Sequence, residues 1–161
     1  LSEIIEDKLI LLSSFLKEHS AEVIFSKTTP KVLCDSTSIG EVIQNFITNA
    51  VKYNDSNQKK ITISCKEEDK RYVISIADNG IGIPEEYRDQ IFKMFKRLHA
   101  RDKYGGGVGA GMTISKKIIE RHQGEIWFES VEGNGTTFYF SIGKALKVKE
   151  MSDSTKEIKN E

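Results

Sequence analysis

The chain has 161 residues, of which 38% are hydrophobic and 30% charged, a profile that fits one domain with a single core and polar ends. Its 24 basic and 24 acidic residues give a formal net charge of zero, so bulk charge supports no general role in binding nucleic acid or a membrane surface. No apolar run approaches the length of a membrane span, and no signal-peptide pattern opens the sequence. We therefore expect a cytoplasmic domain that contacts neither nucleic acid nor membrane.

The two cysteines, Cys34 and Cys65, lie in separate apolar runs. Two cysteines this far apart form neither a disulfide framework nor a zinc-binding pattern. We therefore expect both to be reduced thiols in the core.

The first elements are a helix, two short strands and a second helix. Apolar residues at helical spacing predict a helix from Ser2 to about His19, and strands are predicted at Ala21–Ser26 and Val32–Cys34 around a Thr-Thr-Pro turn. Asp35 or Ser36 then caps the clearest helix of the chain. Its inward stripe comprises Ile39, Val42, Ile43, Phe46, Ile47, Ala50 and Val51.

An antiparallel strand pair comes next, with strands predicted at Ile61–Lys66 and Tyr72–Ala77. Pro84 should open a short helix, and a second short helix is predicted at Gln90–Phe95. The stretch from Lys96 to Gly107 has charge and glycine but no periodicity, which predicts a mobile loop.

The last elements are a helix at Gly109–His122 and strands at Glu125–Glu129 and Thr136–Ile142. The helix should turn Met112, Ile114, Ile118 and Ile119 inward and end at Gln123-Gly124. This order predicts an α/β two-layer sandwich, with a mixed, mostly antiparallel sheet and helices on one face. Residues 1–143 form the domain, and the polar stretch 144–161 is predicted to be disordered.

A polar rim follows the apolar stripe of the capped helix. At about 100° per residue, Asn45, Asn49 and Lys52 fall within roughly a 60° sector beside that stripe. Amide oxygens suit Mg²⁺, and a lysine can reach the same phosphates as a point charge. The alternative is that these side chains are simply solvated.

Asp78 ends an apolar strand and precedes Gly80 and Gly82, which are separated by one residue. A carboxylate in this position can accept the exocyclic amine of adenine, while the glycines let the backbone approach the ring. Guanine lacks a donor at that point, so the contact would discriminate between the purines. The alternative is an ordinary strand-to-turn sequence.

Five glycines lie between Gly105 and Gly111 and run directly into a helix. Bare backbone ahead of a helix N-terminus can form an anion-binding nest, although no Gly-Lys-Ser/Thr closes a Walker A loop. Upstream, Phe92 and Phe95 can anchor the loop to the core. The cations beyond them, from Lys96 and Arg97 onward, either reach a triphosphate or are solvated.

In this order, these segments resemble the N, G1, F and G2 boxes of the ATP-binding catalytic domain of sensor histidine kinases. The match runs from Ser2 to Ile142, and the sequence around these boxes is most like that of bacterial phytochrome-type kinases. The resemblance implies the Bergerat fold, ATP and Mg²⁺ as cofactors, and an ATP lid at about residues 96–108.

The resemblance also implies residue roles. Asn49, assisted by Asn45, would ligate Mg²⁺, and catalysis would depend on both asparagines, Lys52 and Arg97. The nucleotide-binding set is Asn49, Lys52, Tyr53, Asp78, Gly80, Gly82, Ile83, Phe95, Gly107, Gly109, Gly111 and Met112, of which Gly107, Gly109 and Gly111 form the phosphate-facing hinge.

Three departures from related patterns bear on function. The glycine segment is one residue longer than the commonest family pattern, and Met112 stands where leucine is usual. Asn45 replaces the glutamate that the resembling gyrase-type ATPases use as base, and an amide cannot take a proton. Glu41, one turn away, is a poor substitute, so transfer to an external nucleophile is expected rather than efficient hydrolysis.

None of the histidines, His19, His99 and His122, is expected to be the phosphorylated one, because none stands mid-helix beside an acidic residue. We therefore expect a separate dimerisation and acceptor domain and, downstream, a response regulator receiver domain as partners. The alternatives are an ATPase acting as a nucleotide-driven clamp and a non-catalytic nucleotide-binding scaffold.

Overall fold

The computed structural model of the chain describes residues 1–93 and 110–144. Within these residues the helices and strands are α1 Ser2–Leu11, α2 Ser13–Glu18, β1 Ala21–Phe25, α3 Ser36–Lys52, β2 Lys59–Glu67, β3 Arg71–Asp78, a 3₁₀ helix Glu85–Gln90, α4 Gly111–Arg121, β4 Ile126–Ser130 and β5 Thr136–Gly143. The predicted α/β two-layer sandwich with a mixed sheet is confirmed.

The sheet has the order β1-β2-β3-β5-β4. β1 pairs in parallel with β2, with α3 as the crossover between them, and the remaining pairs are antiparallel. β3 is central, and its last residue, Asp78, pairs with Ile61 at the beginning of the apolar part of β2. The turn that follows Asp78 therefore lies in the middle of the sheet, at the end of its strands, where it can carry a functional group.

Helix α3 forms where the sequence analysis predicts it. Asp35 is the N-cap: its Oδ1 accepts hydrogen bonds from Thr37 N at 3.0 Å and Ser38 N at 3.3 Å, and its Oδ2 accepts one from Ser38 Oγ at 2.6 Å. Such a cap satisfies backbone donors that a helix start leaves unpaired. The helix is thus fixed at its beginning and presents its polar rim at a defined angle.

The core lies between α3 and the inner face of the sheet. Phe46 is 0% exposed and contacts Phe138 and Phe140, with ring centroids 5.0 and 6.0 Å apart. Tilted and edge-on contacts of this kind are favourable beyond their buried area. The core-facing stripe of α3 is buried as predicted, and comprises Ile39, Val42, Ile43, Phe46, Ile47, Ala50 and Val51.

Two predictions about the first part of the chain need correction. The predicted helix from Ser2 to about His19 is interrupted at Leu12, which has φ −89° and ψ 2° between α1 and α2. The predicted strand Val32–Cys34 is not a strand: Val32 and Cys34 pack against the core, whereas Leu33 is 80% exposed, and no described strand pairs with them. Alternating burial in an irregular segment therefore resembled a strand pattern.

Two further corrections concern helices. The predicted helix at Gln90–Phe95 is wrong in its described part, because the 3₁₀ helix ends at Gln90 and a turn follows. Ile114 is 49% exposed and not inward, because the inner face of α4 is centred on Ser115 and Ile119, about 100° away around the helix.

The free cysteines Cys34 and Cys65 are only half-buried. The predicted loop from Lys96 and the predicted disordered tail lie outside the described residues.

Candidate functional site

The turn after β3 holds the Asp78 carboxylate. Asp78 Oδ1 accepts hydrogen bonds from Gly80 N at 2.8 Å and from Thr136 N at 3.2 Å. A Cβ on residue 80 would lie 2.4 Å from the backbone oxygen of Tyr53, so only glycine fits between Asp78 and the end of α3. In the described part of the chain, Asp78 Oδ2 accepts no hydrogen bond and remains available to a donor.

Burial raises the pKa of the Asp78 carboxyl to about 6, and the hydrogen bonds from Gly80 and Thr136 oppose this rise. No cation pairs with Asp78 among the residues that the structure describes. A buried carboxylate with two backbone donors on one oxygen and none on the other suits a ligand that brings its own N–H group.

Asn79 ties this turn to the end of α3. Its Oδ1 accepts from Asn54 Nδ2 at 2.9 Å and from Lys60 N at 2.8 Å, and its Nδ2 donates to the backbone oxygen of Gln58 at 3.0 Å. Asn54 is only 3% exposed. We call this set of contacts the Asn54–Asn79 bridge, and it holds the backbone beside Asp78 against α3.

The second half of the turn is held by the β4–β5 connection. Gly82 has φ +72°, and a Cβ there would lie 2.2 Å from Val131 O. Ile83, which is buried, donates its N–H to Ser130 Oγ at 2.8 Å, and Ser130 in turn donates to Gly135 O at 2.9 Å. Gly80 and Gly82 are therefore required by the packing of the protein itself, in addition to the predicted approach of the backbone to a base.

The polar rim of α3 meets the first turns of α4. Asn45 Nδ2 donates to Ser115 Oγ at 3.1 Å and to Met112 Sδ at 3.5 Å, and Asn49 Nδ2 donates to Met112 Sδ at 3.3 Å. A Cβ on Gly111 would lie 2.4 Å from Asn45 Oδ1. Among described residues, Asn49 Oδ1 accepts no hydrogen bond, so it is available to a cation.

The two ends of the site are joined through the last turn of α3. Tyr53 N donates to Asn49 O at 2.9 Å, and Tyr53 O accepts from Ile81 N at 3.0 Å. The four residues from Asn49 to Tyr53, about 6 Å of helical rise, therefore separate Asn49 from the turn that carries Asp78, and Asn45 lies one turn further away. Lys52 lies on this last turn, and both Lys52 and the Tyr53 side chain are exposed.

The remaining predicted site residues are Phe95, Arg97, Gly107 and Gly109, and all of them lie outside the described residues. The chain on either side of residues 94–109 is held together, because Thr113 Oγ1 donates to Phe92 O at 3.2 Å. We call this contact the neck.

Sequence reasoning missed several residues that build the site. Asn79 stood within the Asp-Asn-Gly turn but was given no role, and Asn54 was taken only as part of the helix end. Ser115 and Ser130 are small polar residues at buried positions, 2% and 8% exposed. A serine at a position where the helical or strand pattern expects an apolar residue could have indicated this role, since buried polar groups need hydrogen-bond partners.

Each of the two described histidines has a ring nitrogen in contact with a backbone group. His19 ends α2, where its Nδ1 lies 2.9 Å from Phe15 O. His122 ends α4, where Nδ1 lies 2.8 Å from Ile118 O and Nε2 accepts from Asp35 N at 3.1 Å. Neither stands mid-helix with a free ring nitrogen.

Within the described ranges, no cluster of three or more histidine, cysteine or acidic side chains could hold a metal. A cation at the amide rim would therefore depend on amide oxygens. Over the same ranges, every helix is too short or too polar to span a bilayer.

Sequence comparison relates the chain to a family and to longer proteins. A family model described as Histidine kinase-, DNA gyrase B-, and HSP90-like ATPase matches residues 34–146. Cyanobacterial phytochrome B of Nostoc sp. strain PCC 7120 is 47% identical over 143 residues, which cover 88% of this chain and 19% of that protein. Sensor protein kinase WalK of Staphylococcus haemolyticus is 39% identical over 133 residues, covering 81% and 21% respectively. The chain thus spans about a fifth of the length of these relatives.

Solved structures share the fold. The catalytic domain of histidine kinase ThkA, solved without nucleotide, matches with a TM-score of 0.75 at 30% identity, covering 89% of this chain and 92% of that one. The structure of ThkA in complex with response regulator protein TrrA matches with a TM-score of 0.69 at 27% identity, covering 89% and 40%.

Proposed function

Because the chain belongs to the histidine kinase-, DNA gyrase B- and HSP90-like ATPase family, we propose that it is the catalytic domain of a sensor histidine kinase. It binds ATP with Mg²⁺ and transfers the γ-phosphoryl group to a histidine on a separate domain. The observation that carries the proposal is the buried Asp78 carboxylate, whose turn is hydrogen-bonded to the end of α3 one helical turn beyond Asn49 and two turns beyond Asn45.

Asp78 reads the base in this proposal. Its Oδ2 accepts the adenine amine, while Oδ1 stays fixed by Gly80 N and Thr136 N. A guanine ring would present an oxygen at the same point and would be repelled by the ionised carboxylate. Gly80, Gly82, Ile83 and Tyr53 border the base, and the Asn54–Asn79 bridge fixes their backbone relative to α3.

The residues at the other end fit a magnesium ion. Asn49 Oδ1 has no donor in the described structure, and Asn45 lies one turn away on the same rim, so both can supply neutral oxygen ligands. When bound, Mg²⁺ would neutralise charge on the phosphate oxygens. Lys52 supplies a further positive charge, and Gly111 with Met112 begins the helix whose N-terminus faces the phosphates.

Transfer is favoured over hydrolysis by the chemistry of residue 45. The Asn45 amide donates to Ser115 and Met112 and has no basic site that could activate water. Glu41 is exposed one turn earlier on α3 and lies away from Asn49. The nucleophile must therefore come with its own means of losing a proton.

That nucleophile is a histidine of an acceptor domain. His19 and His122 end their helices and are engaged by backbone groups, which supports an acceptor outside the described chain. A response regulator receiver domain is the proposed downstream partner, since ThkA has been solved with its response regulator. A cytoplasmic location is proposed with these partners.

The test is phosphotransfer from γ-labelled ATP to a separately supplied acceptor-histidine domain of a sensor histidine kinase. We expect an acid-labile, base-stable phosphohistidine on the acceptor, and slow release of phosphate when the acceptor is omitted. Asn49→Asp should abolish transfer and leave the fold intact, because it changes the charge at the metal ligand. Asn57→Asp, which makes the same change at an exposed site, should transfer normally.

Each contrary result has a distinct meaning. Fast hydrolysis without the acceptor would indicate a clamp ATPase. Absence of saturable ATP binding would indicate a scaffold, and transfer by Asn49→Asp would show that the metal ligand is misassigned.

A further inference from the structure

We propose that Met112 is a positioning residue whose sulfur fixes the orientation of the Asn45 and Asn49 side-chain amides, so that the oxygen of Asn49 is the atom offered to the cation. The proposal rests on the proposed function, because that function assigns the cation to Asn49. It concerns the Met112 side chain, whereas the proposed function uses Gly111 and Met112 for their place at the N-terminus of α4.

The two amides converge on one sulfur. Met112 Sδ lies 3.3 Å from Asn49 Nδ2 and 3.5 Å from Asn45 Nδ2, both within reach of a weak N–H···S hydrogen bond. Asn45 and Asn49 are one helical turn apart on α3, so a single side chain from α4 contacts both amides of the rim.

Sulfur can select the amide orientation because a thioether only accepts hydrogen bonds. If the Asn49 amide turned by 180°, its oxygen would face the lone pairs of Met112 Sδ and its NH₂ group would face the cation. Both contacts would be repulsive, so the observed orientation is the one that offers oxygen outward.

Ser115 does not make this selection. Its hydroxyl lies 3.1 Å from Asn45 Nδ2, but a hydroxyl can donate as well as accept. It would therefore pair with Asn45 in either orientation. Of the two α4 side chains that contact the rim, Met112 is the one that distinguishes oxygen from nitrogen.

The sulfur is held in place by the surrounding structure. Met112 packs against the hydrophobic core, and Gly111 brings the α4 backbone against Asn45, with room for no Cβ. The neck, Thr113 Oγ1 to Phe92 O at 3.2 Å, anchors the same turn. A flexible methionine is thereby restricted to the position that faces α3.

The matched variant is Met112→Leu, because leucine has similar volume and no acceptor. The control is Ile114→Leu, on the same helix at a position 49% exposed. The first measurement follows the side-chain amide ¹⁵N–¹H₂ resonances of Asn45 and Asn49 without nucleotide. In Met112→Leu we expect them to move toward those of the exposed Asn57, and in Ile114→Leu we expect no change.

The second measurement is the ratio of the ATP dissociation constants in EDTA and in Mg²⁺. We expect Met112→Leu to reduce this ratio about two- to fivefold, the effect of losing one weak hydrogen bond. Ser115→Ala should change the ratio less than Met112→Leu, because the sulfur remains.

Unchanged amide resonances in Met112→Leu would overturn the inference. If ATP binding by the wild type depends on magnesium, a ratio in Met112→Leu equal to that of the wild type would overturn it as well. A larger effect of Ser115→Ala than of Met112→Leu would also overturn it, because the hydroxyl would then be the selector. A wild type with no magnesium-dependent ATP binding would instead overturn the proposed function, and the amide resonances would still test the orientation.

Discussion

At the scale of single residues, Asp78 illustrates how a fold can hold a charged group at some cost until a ligand arrives. Its pKa lies well above the ordinary value of 3.8 because the carboxyl is largely buried. Two backbone donors reduce this cost but occupy one oxygen only. A donor supplied by a ligand would complete the set, and in the proposed function that donor is the amine of adenine.

Replacing Asp78 by asparagine should weaken ATP binding by about 1–3 kcal/mol, the scale of a charge-assisted hydrogen bond to a buried group. The amide can still accept from Gly80 and Thr136, but its NH₂ group would then face the adenine amine. Isothermal titration with ATP and with GTP measures the effect. An unchanged ATP affinity, or an equal loss for both nucleotides, would contradict the assignment.

The same variant isolates the pH dependence of the wild type. Since folding raises the Asp78 pKa from 3.8 to about 6, the protonated form stabilises the nucleotide-free fold. That stabilisation is complete below pH 3.8 and is lost as the pH rises through about 6, and it amounts to about 3 kcal/mol in all. Urea unfolding across this window should show that the free energy of unfolding falls with rising pH in the wild type and not in Asp78→Asn. The ATP affinity of the wild type should show the opposite dependence and decrease as the pH is lowered below about 6.

At the scale of elements, the site depends on turns that meet from distant parts of the sequence. The strand ends that flank the β4–β5 turn reach Asp78 through Thr136 N and support Ile83 through Ser130. The Asn54–Asn79 bridge does the same from the end of α3. The strands and α3 could be predicted from their own periodicity, but these cross-chain contacts could not, because no local pattern specifies which turn another turn touches.

Two glycines of the β4–β5 turn offer a matched test. Gly133 and Gly135 have φ of +79° and +83°, but a Cβ at 133 meets nothing within 4 Å, whereas at 135 it would lie 2.0 Å from Asp78 O. Gly133→Ala should cost about 1–2 kcal/mol from backbone strain, and Gly135→Ala about 1–3 kcal/mol more from overpacking.

Urea unfolding measures both glycine variants, and ATP titration should show a loss for Gly135→Ala alone, because that Cβ displaces the backbone of Asp78. Equal unfolding free energies for the two variants would contradict the close approach of the β4–β5 turn to β3.

At the scale of the whole molecule, α3 serves the core and the site at once. Its apolar stripe packs on the sheet, and its neighbouring rim carries Asn45 and Asn49. This much followed from spacing on one helix and could be predicted. Two features could not be predicted in this way: the burial of Val32 and Cys34 in an irregular segment, and the position of Ser115 instead of Ile114 on the inward face of α4. Both depend on contacts with residues that are distant in the sequence.

Truncating Phe46 to alanine should lower the free energy of unfolding by about 3–5 kcal/mol, because it removes a fully buried ring that contacts two others. A loss of that size is a large part of the stability of a small domain. Ile24→Ala, at a residue 51% exposed on edge strand β1, is the control and should change stability by less than about 0.5 kcal/mol. Urea unfolding of both variants decides, and comparable losses would show that the aromatic cluster is not the centre of the core.

The neck between Phe92 and Thr113 has a consequence for how such a domain can diversify. This contact holds the two ends of the segment 94–109 close together. Residues can therefore be added to or removed from that segment without moving the sheet. In general, doubling the length of a chain segment between two fixed ends costs only about 0.6 kcal/mol of closure entropy. A change of length or charge at positions 94–109 should thus leave the described frame, including the turn that carries Asp78, unchanged.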